Sequence, residues 1–296
     1  MSSKHEFGKY DIVWLMSFPN SGTSYTLHLV EKSTETSTGT NYAQEPRNAG
    51  YSVKRLNENL AGLGPYIHNS SLPLPQTKYV LTKTHCSGYC QDCPPKKYIV
   101  NNQEFAKSCA ECTDEKNITH YGDIFTVDRA IHLIRNPLDN VVSNFHHWRG
   151  KQKRKGNKIP FEDTPIGFKQ YCELYHSRFV AMNVTRPKIK RLERYFDGVP
   201  CHQSFFRFIQ WHNNAYAMEN VDRLLIYYDD YENDFDDTSD RVLNYLGLKP
   251  TKQKPLFKTG KSYEHYFTES EKIAIWKLIK KFAIDSVWDK LSRYQK

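Results

Sequence analysis

Apolar residues in this chain gather in short runs separated by polar stretches. The runs "DIVWLMS" (11–17), "KYVLT" (78–82), "AIHLI" (130–134) and "RLLIYY" (223–228) are rich in β-branched residues and too short for helices. Most are near-continuous rather than alternating, as in parallel strands covered on both faces. Between them apolar positions recur at helical spacing. That spacing predicts helices over 23–33, 138–148, 166–183, 203–220, 238–248 and 268–283. Pro137 suits a first helical turn, Gly247 a helix stop, and Thr268 with Glu271 a capping box. Strands alternating with helices predict βαβ units, and hence a single α/β domain over 1–296 with a parallel sheet flanked by helices. Residues 34–77, rich in Thr, Asn, Gly and Pro, predict an excursion from that sheet.

The first strand ends abruptly in "SFPNSGTSYTLHLV" (17–30). Strand, glycine-containing turn and helix make a cradle for an anion, because the first-turn N–H groups lack acceptors and the helix dipole favours negative charge there. Ser21, Thr23 and Ser24 add hydroxyl donors, and Gly22 allows close backbone approach. An ordinary capped turn fits this stretch equally well. A second segment, "RAIHLIRNPLDNVVSNFHHW" (129–148), repeats the arrangement. Arg135 leaves the strand, and Ser143 follows about two helical turns later on roughly the same side. Two such sites at neighbouring strand ends fit a ligand carrying phosphates in two places.

Here the sequence resembles a known family, the sulfotransferases that use 3′-phosphoadenosine-5′-phosphosulfate (PAPS). "SFPNSGTSYTLHLV" resembles their 5′-phosphosulfate loop, "LIRNPLDNVVSNFHH" their 3′-phosphate motif, and "LTKTHC" (81–86) their Lys-Thr-His segment, all in the family's order. The resemblance implies a P-loop-like sulfotransferase fold. It implies that Ser21, Gly22, Thr23 and Ser24 hold the 5′-phosphate, that Tyr25 stacks on adenine, and that Arg135 and Ser143 bind the 3′-phosphate. Lys83 would contact the transferring sulfuryl oxygens. His85 would be the general base, since imidazole titrates near neutrality. Phe206 and Trp211 would wall the adenine, or else serve as core aromatics. Lys258 and Gly260 would stand for a late basic-glycine segment. One departure is chemical: the loop lysine of the family is replaced by Asn20, which donates a hydrogen bond but carries no charge. Lys83 is then expected to take more of the electrostatic load.

Composition sharpens this picture. The net charge of +9 and pI near 9.0 favour an anionic partner. No stretch reaches the ~20 apolar residues of a membrane span. The polar start "MSSKHEFGKYD" lacks a signal-peptide core, so a cytoplasmic location is expected, with a trimmed Golgi or secretory precursor as the alternative. A Cys-rich insertion at about 86–115 sets the chain apart from the common cytosolic sulfotransferases and suggests a divergent branch. Cys90, Cys93, Cys109 and Cys112 have zinc-ribbon spacing, so a structural Zn²⁺ is expected, with disulfides as the rival. Cys172 and Cys201 read as ordinary buried or unpaired residues.

The expected reaction is sulfuryl transfer from PAPS to a hydroxyl or amine acceptor, a small molecule or carbohydrate, giving adenosine 3′,5′-bisphosphate (PAP). A P-loop kinase would need a loop lysine that is missing here. A basic zinc module for nucleic acid would need clustered rather than dispersed cations, and no nucleic-acid partner is expected.

Overall fold

The structure, a computed structural model, describes residues 10–57, 64–86, 88, 101–116, 118–120, 127–183, 193–258 and 262–295. Strand β1 (Asp11–Ser17) leads into helix α1 (Thr23–Thr34), followed by β2 (Gly39–Thr40), α2 (Gln44–Asn48), β3 (Tyr66–Ile67) and β4 (Tyr79–Thr84). Next come α3 (Asn102–Cys109), β5 (Cys112–Thr113), β6 (Thr119–His120), β7 (Arg129–Ile134), α4 (Pro137–Arg154), α5 (Pro165–Asn183) and α6 (His202–Ala217). Strand β8 (Asp222–Tyr227) precedes α7 (Asp230–Asn233), α8 (Phe235–Tyr245), α9 (Glu269–Phe282) and α10 (Asp285–Leu291).

The main sheet has the order β3-β2-β4-β1-β7-β8, and β5 pairs with β6 in a separate ribbon. Neighbours in the main sheet run parallel, except that β3 is antiparallel to β2. The chain passes from β1 to β4 on one side, then crosses to β7 on the other. Strand order therefore reverses at β1, and in open α/β sheets ligands bind in the crevice beyond the strand ends at such a point. The carboxyl ends of β4, β1 and β7 are where Lys83, Ser17 and Arg135 lie.

Both faces of the sheet are covered, as the apolar runs require. On β1, Val13 and Leu15 pack with Leu27, Leu81, Ile131 and Val242 on one face. Trp14 and Met16 face the other cluster, with Phe145, Phe168, Phe208 and Ile275. Asn136 caps α4 by accepting from the Leu138 N–H at 2.9 Å, ahead of Pro137, and Thr268 with Glu271 forms the expected capping box on α9. Helix α8 begins three residues earlier than the spacing predicts, with Asp236 and Asp237 in its first turn favoured by the helix dipole. Strand β4 runs on through Lys83 and Thr84, whose backbones pair with Leu15 and Met16 despite their polar side chains. Among the described residues, no helix is long and apolar enough to cross a membrane.

The cysteines correct the zinc expectation. Cys86 is disulfide-bonded to Cys109, and Cys172 to Cys201, so neither of the latter is an ordinary unpaired thiol. A disulfide sulfur is not a thiolate ligand, which removes Cys109 from a tetrathiolate site. Cys112 is buried and its sulfur lies 3.5 Å from Asn41 Oδ1 as a hydrogen-bond donor. Burial pushes that thiol up to about 12, against the deprotonation a metal needs. Cys90 and Cys93 lie outside the described residues, as does Gly260. The donor set described therefore does not fit Zn²⁺.

Candidate active site

Ser17, Phe18, Pro19, Asn20, Ser21 and Gly22 form the turn from β1 into α1. Asn20 and Gly22 both take left-handed backbone, at φ 67° and 101°. At Gly22 the need is double, because an added Cβ would sit 2.4 Å from the Tyr228 ring. Gly22 is also the α1 N-cap, and among the described residues no side chain caps the helix. Its first-turn amides, with no intrahelical acceptor, are thus left for a ligand. Ser21 and Thr23 are buried at this turn, whereas Ser24 is exposed.

The second strand end is tied directly to the first. Arg135 donates from Nη1 to the Asn20 carbonyl at 2.8 Å, and its guanidinium lies 4.6 Å from the Tyr228 ring centroid. Asn140 donates from Nδ2 to the Pro19 carbonyl (2.9 Å) and to Ser21 Oγ (3.0 Å). Asn20 donates to Asn144 Oδ1 at 3.2 Å. Ser143 is half-buried on α4, three residues beyond Asn140 and so on a neighbouring face. Arg135 is only 4% exposed, yet its Nε and Nη2 have no acceptor among the described residues. Leaving buried donors unsatisfied costs about 1–3 kcal/mol per group, more for a cation. That deficit is what an incoming anion would relieve.

On the β4 side, Lys83 is buried and pairs through Nζ with Glu45 Oε1 of α2. Glu45 Oε2 accepts from Thr40 Oγ1 at 2.6 Å. Burial works to raise the Glu45 carboxyl, but Lys83 and the Thr40 hydroxyl outweigh it and hold it below the usual carboxylate range. His85 is fixed from several directions. Its N–H donates to Tyr42 Oη at 2.9 Å, and its carbonyl accepts from Trp211 Nε1 at 2.8 Å. Its Nδ1 lies 2.9 Å from the Ser17 carbonyl oxygen. A carbonyl only accepts, so Nδ1 carries the proton and Nε2 keeps the lone pair. Burial first, and then the charge of Lys83, push the imidazole down to about 3, so it is neutral at ordinary pH. The directly following Cys86 takes φ 44° and is stapled to α3 through Cys109.

The structure thus brings Asn20, Ser21, Gly22, Thr23, Arg135, Lys83 and His85 together at the carboxyl ends of β4, β1 and β7. Trp211 backs that group through His85 while its ring packs against Phe18 and Phe105 in the core. Phe206 is not brought there; it packs against Phe196 and Phe282. Tyr25 donates to the Pro255 carbonyl at 3.0 Å and meets Tyr231 and Phe257 edge-on. That contact brings the segment carrying exposed Lys258 beside α1. Sequence reasoning missed Glu45, Asn140, Asn144 and Tyr228. Only Asn140 and Asn144, spaced four apart in the predicted helix after Arg135, left a usable signal.

Fold and site geometry together define an α/β protein with a candidate anion site at its switch point. The chain belongs to a sulfotransferase family: residues 126–272 match the sulfotransferase domain. The match runs from before β7 into α9, so it includes Arg135 and Ser143 but not the first loop or Lys83 and His85. Mouse sulfotransferase SULT7A1, solved in complex with PAP, is 15% identical over 96% of this chain and 89% of its own, with a TM-score of 0.44. A sulfotransferase from Alicyclobacillus acidocaldarius is 10% identical over 98% of this chain and 100% of its own, with a TM-score of 0.42. No curated protein matches the sequence.

Proposed function

We propose that the protein transfers a sulfuryl group from PAPS to a hydroxyl or amine acceptor, a small molecule or carbohydrate, releasing PAP. The observation that carries this reading is Arg135, a buried guanidinium whose Nε and Nη2 have no acceptor among the described residues, bonded to the very loop whose amides await an anion. Ser21, Gly22, Thr23 and Ser24 hold the 5′-phosphate, and Arg135 with Ser143 holds the 3′-phosphate. Tyr25 and Lys258 border the same nucleotide.

In the reaction the acceptor oxygen or nitrogen attacks sulfur, and the bond from sulfur to the 5′-phosphate oxygen breaks. The acceptor's proton goes to His85 Nε2, the nitrogen that the Ser17 carbonyl leaves with its lone pair. Lys83 steadies charge on the sulfuryl oxygens: an ammonium has three donors, and Glu45 engages only part of that capacity. Asn20, uncharged, contributes a hydrogen-bond donor to the leaving oxygen once released from Asn144. Positioning and electrostatics supply the rate. The Cys86–Cys109 and Cys172–Cys201 disulfides favour an oxidising compartment over the cytoplasm.

The test measures PAP binding by calorimetry and transfer of labelled sulfate from PAPS across an acceptor panel. Wild type is expected to bind PAP and to sulfate at least one acceptor. His85→Ala is expected to retain PAP binding while losing about 10²–10⁴-fold in transfer. Absence of PAP binding by wild type would sink the proposal.

A further inference from the structure

The bonds around Ser17 have a direction that their distances alone do not reveal. Ser17 is fully buried at the last position of β1. Its hydroxyl lies 2.7 Å from Thr23 Oγ1 and 3.2 Å from His85 Nδ1. Either partner of each contact could donate, but the Ser17 carbonyl, 2.9 Å from the same Nδ1, requires a proton on that nitrogen. Ser17 Oγ therefore accepts from Nδ1–H, and since Thr23 Oγ1 is its other partner among the described residues, its own hydrogen goes to Thr23. The Thr23 hydroxyl, having accepted, keeps its hydrogen for a further acceptor. The chain runs Nδ1–H to Ser17 Oγ–H to Thr23 Oγ–H, all in one sense, and ends at the loop whose amides await an anion.

We infer that Ser17 is a positioning residue that couples occupancy of the phosphate loop to the base-competent state of His85. The inference rests on the proposed nucleotide site. Hydrogen bonds in series polarise one another. An anionic oxygen accepting from Thr23 draws each proton along the chain. It strengthens the hold on Nδ1–H and makes the lone pair at Nε2 more basic. In the unliganded protein the imidazole is neutral and a weak base, because it is buried beside Lys83. Donor binding then corrects this weakness from the far side of the ring, without any residue moving between the two sites. The acceptor's proton is accordingly taken more readily when a donor is in place.

The experiment uses the full chain labelled with nitrogen-15 in histidine, with PAP as the probe. The His85 signal is identified by its loss in His85→Gln. PAP is expected to move the wild-type Nδ1–H proton downfield. Ser17→Ala is expected to bind PAP within about threefold of wild type, to lose that shift, and to lose about tenfold in kcat, the lower range for a residue that orients another. Ser17→Thr, which keeps the hydroxyl, is expected to regain both. PAP binding that leaves the wild-type His85 signal in place overturns the coupling while sparing the nucleotide site, and so does an unchanged shift in Ser17→Ala. If wild type binds no PAP, the proposed function fails and the coupling with it. Should Ser17→Ala not fold, the wild-type titration alone decides.

Discussion

The two sides of the switch point hold their functional groups by different means. Toward β7, the first loop is knit to α4 by side chains that donate to its carbonyls: Arg135 to Asn20 and Asn140 to Pro19. Both partners grow from regular elements, a strand end and a helix. Toward β4, Lys83 and His85 stand against an irregular excursion. They are held by the Glu45 carboxylate, the Tyr42 hydroxyl and the disulfide behind Cys86. A donor common to many reactions can be gripped by a fixed scaffold, whereas an acceptor is selected by loops that the sheet does not determine. Staple and scaffold are therefore built separately, and a substitution can be aimed at either one.

The largest effect is expected from the staple. Replacing Cys86 and Cys109 by serine opens a loop of 23 residues of separation. That should cost about 3 kcal/mol in stability by loop-closure entropy, measured by denaturant unfolding. Sulfuryl transfer should fall, while PAP affinity in the folded fraction stays near wild type. An equal fall in PAP affinity would erase the distinction between the two sides.

Gly22→Ala attacks the scaffold instead. It places a side chain at φ 101°, against the Tyr228 ring. Left-handed backbone costs a non-glycine residue roughly 1–2 kcal/mol, and the ring must also shift. PAP binding is expected to weaken by about thirtyfold, equivalent to about 2 kcal/mol, with little change in His85 chemistry per bound donor. A smaller step is Glu45→Gln, which frees Lys83 from its carboxylate. With Lys83 less firmly placed, kcat should drop about fivefold, in the range of about 1 kcal/mol for a part-exposed ion pair. PAP affinity should hold within about twofold. Loss of PAP affinity comparable to the loss of kcat would put Glu45 on the donor side.

The same division explains what could be read from the sequence. The strands, the helices after them, Pro137 and the Thr268–Glu271 box were legible because period and capping are local. Arg135 and the Ser21–Ser24 turn could be singled out as candidates because each motif is contiguous, and the structure sets both at neighbouring strand ends. Strands β2 and β3, of two residues each, carry no period to read. Glu45 was hidden because its partner is 38 positions away and nothing in the Thr- and Asn-rich stretch around it predicts burial. The cysteines misled for a related reason. The Cys-x2-Cys spacing suggested a local metal site, whereas Cys86 and Cys109 are brought together by the end of β4 and α3.

The smallest expected effect isolates the field at the scaffold side. Asp139, in the first turn of α4, is buried and accepts from the Tyr263 N–H at 2.7 Å. Burial raises its carboxyl to about 6, against the opposing pull of that N–H and of Arg135. Its folded pKa thus exceeds the unfolded value of 3.8. The protonated form favours the fold, and that contribution is complete below the unfolded value and lost as pH rises through about 6. At pH 7.5 the ionised carboxylate subtracts from the positive potential that Arg135 offers a phosphate. Asp139→Asn keeps the shape and the acceptor oxygen but removes the charge, so it should bind PAP about threefold more tightly than wild type at pH 7.5. The ratio should shrink toward one as pH falls below about 6, where wild type takes up the proton itself. Protonation of the nucleotide's own phosphates changes both affinities alike and cancels in the ratio. A ratio that stays flat from pH 7.5 to 5 would separate Asp139 from the phosphate site, whereas His85-dependent transfer on the β4 side should not follow this titration at all.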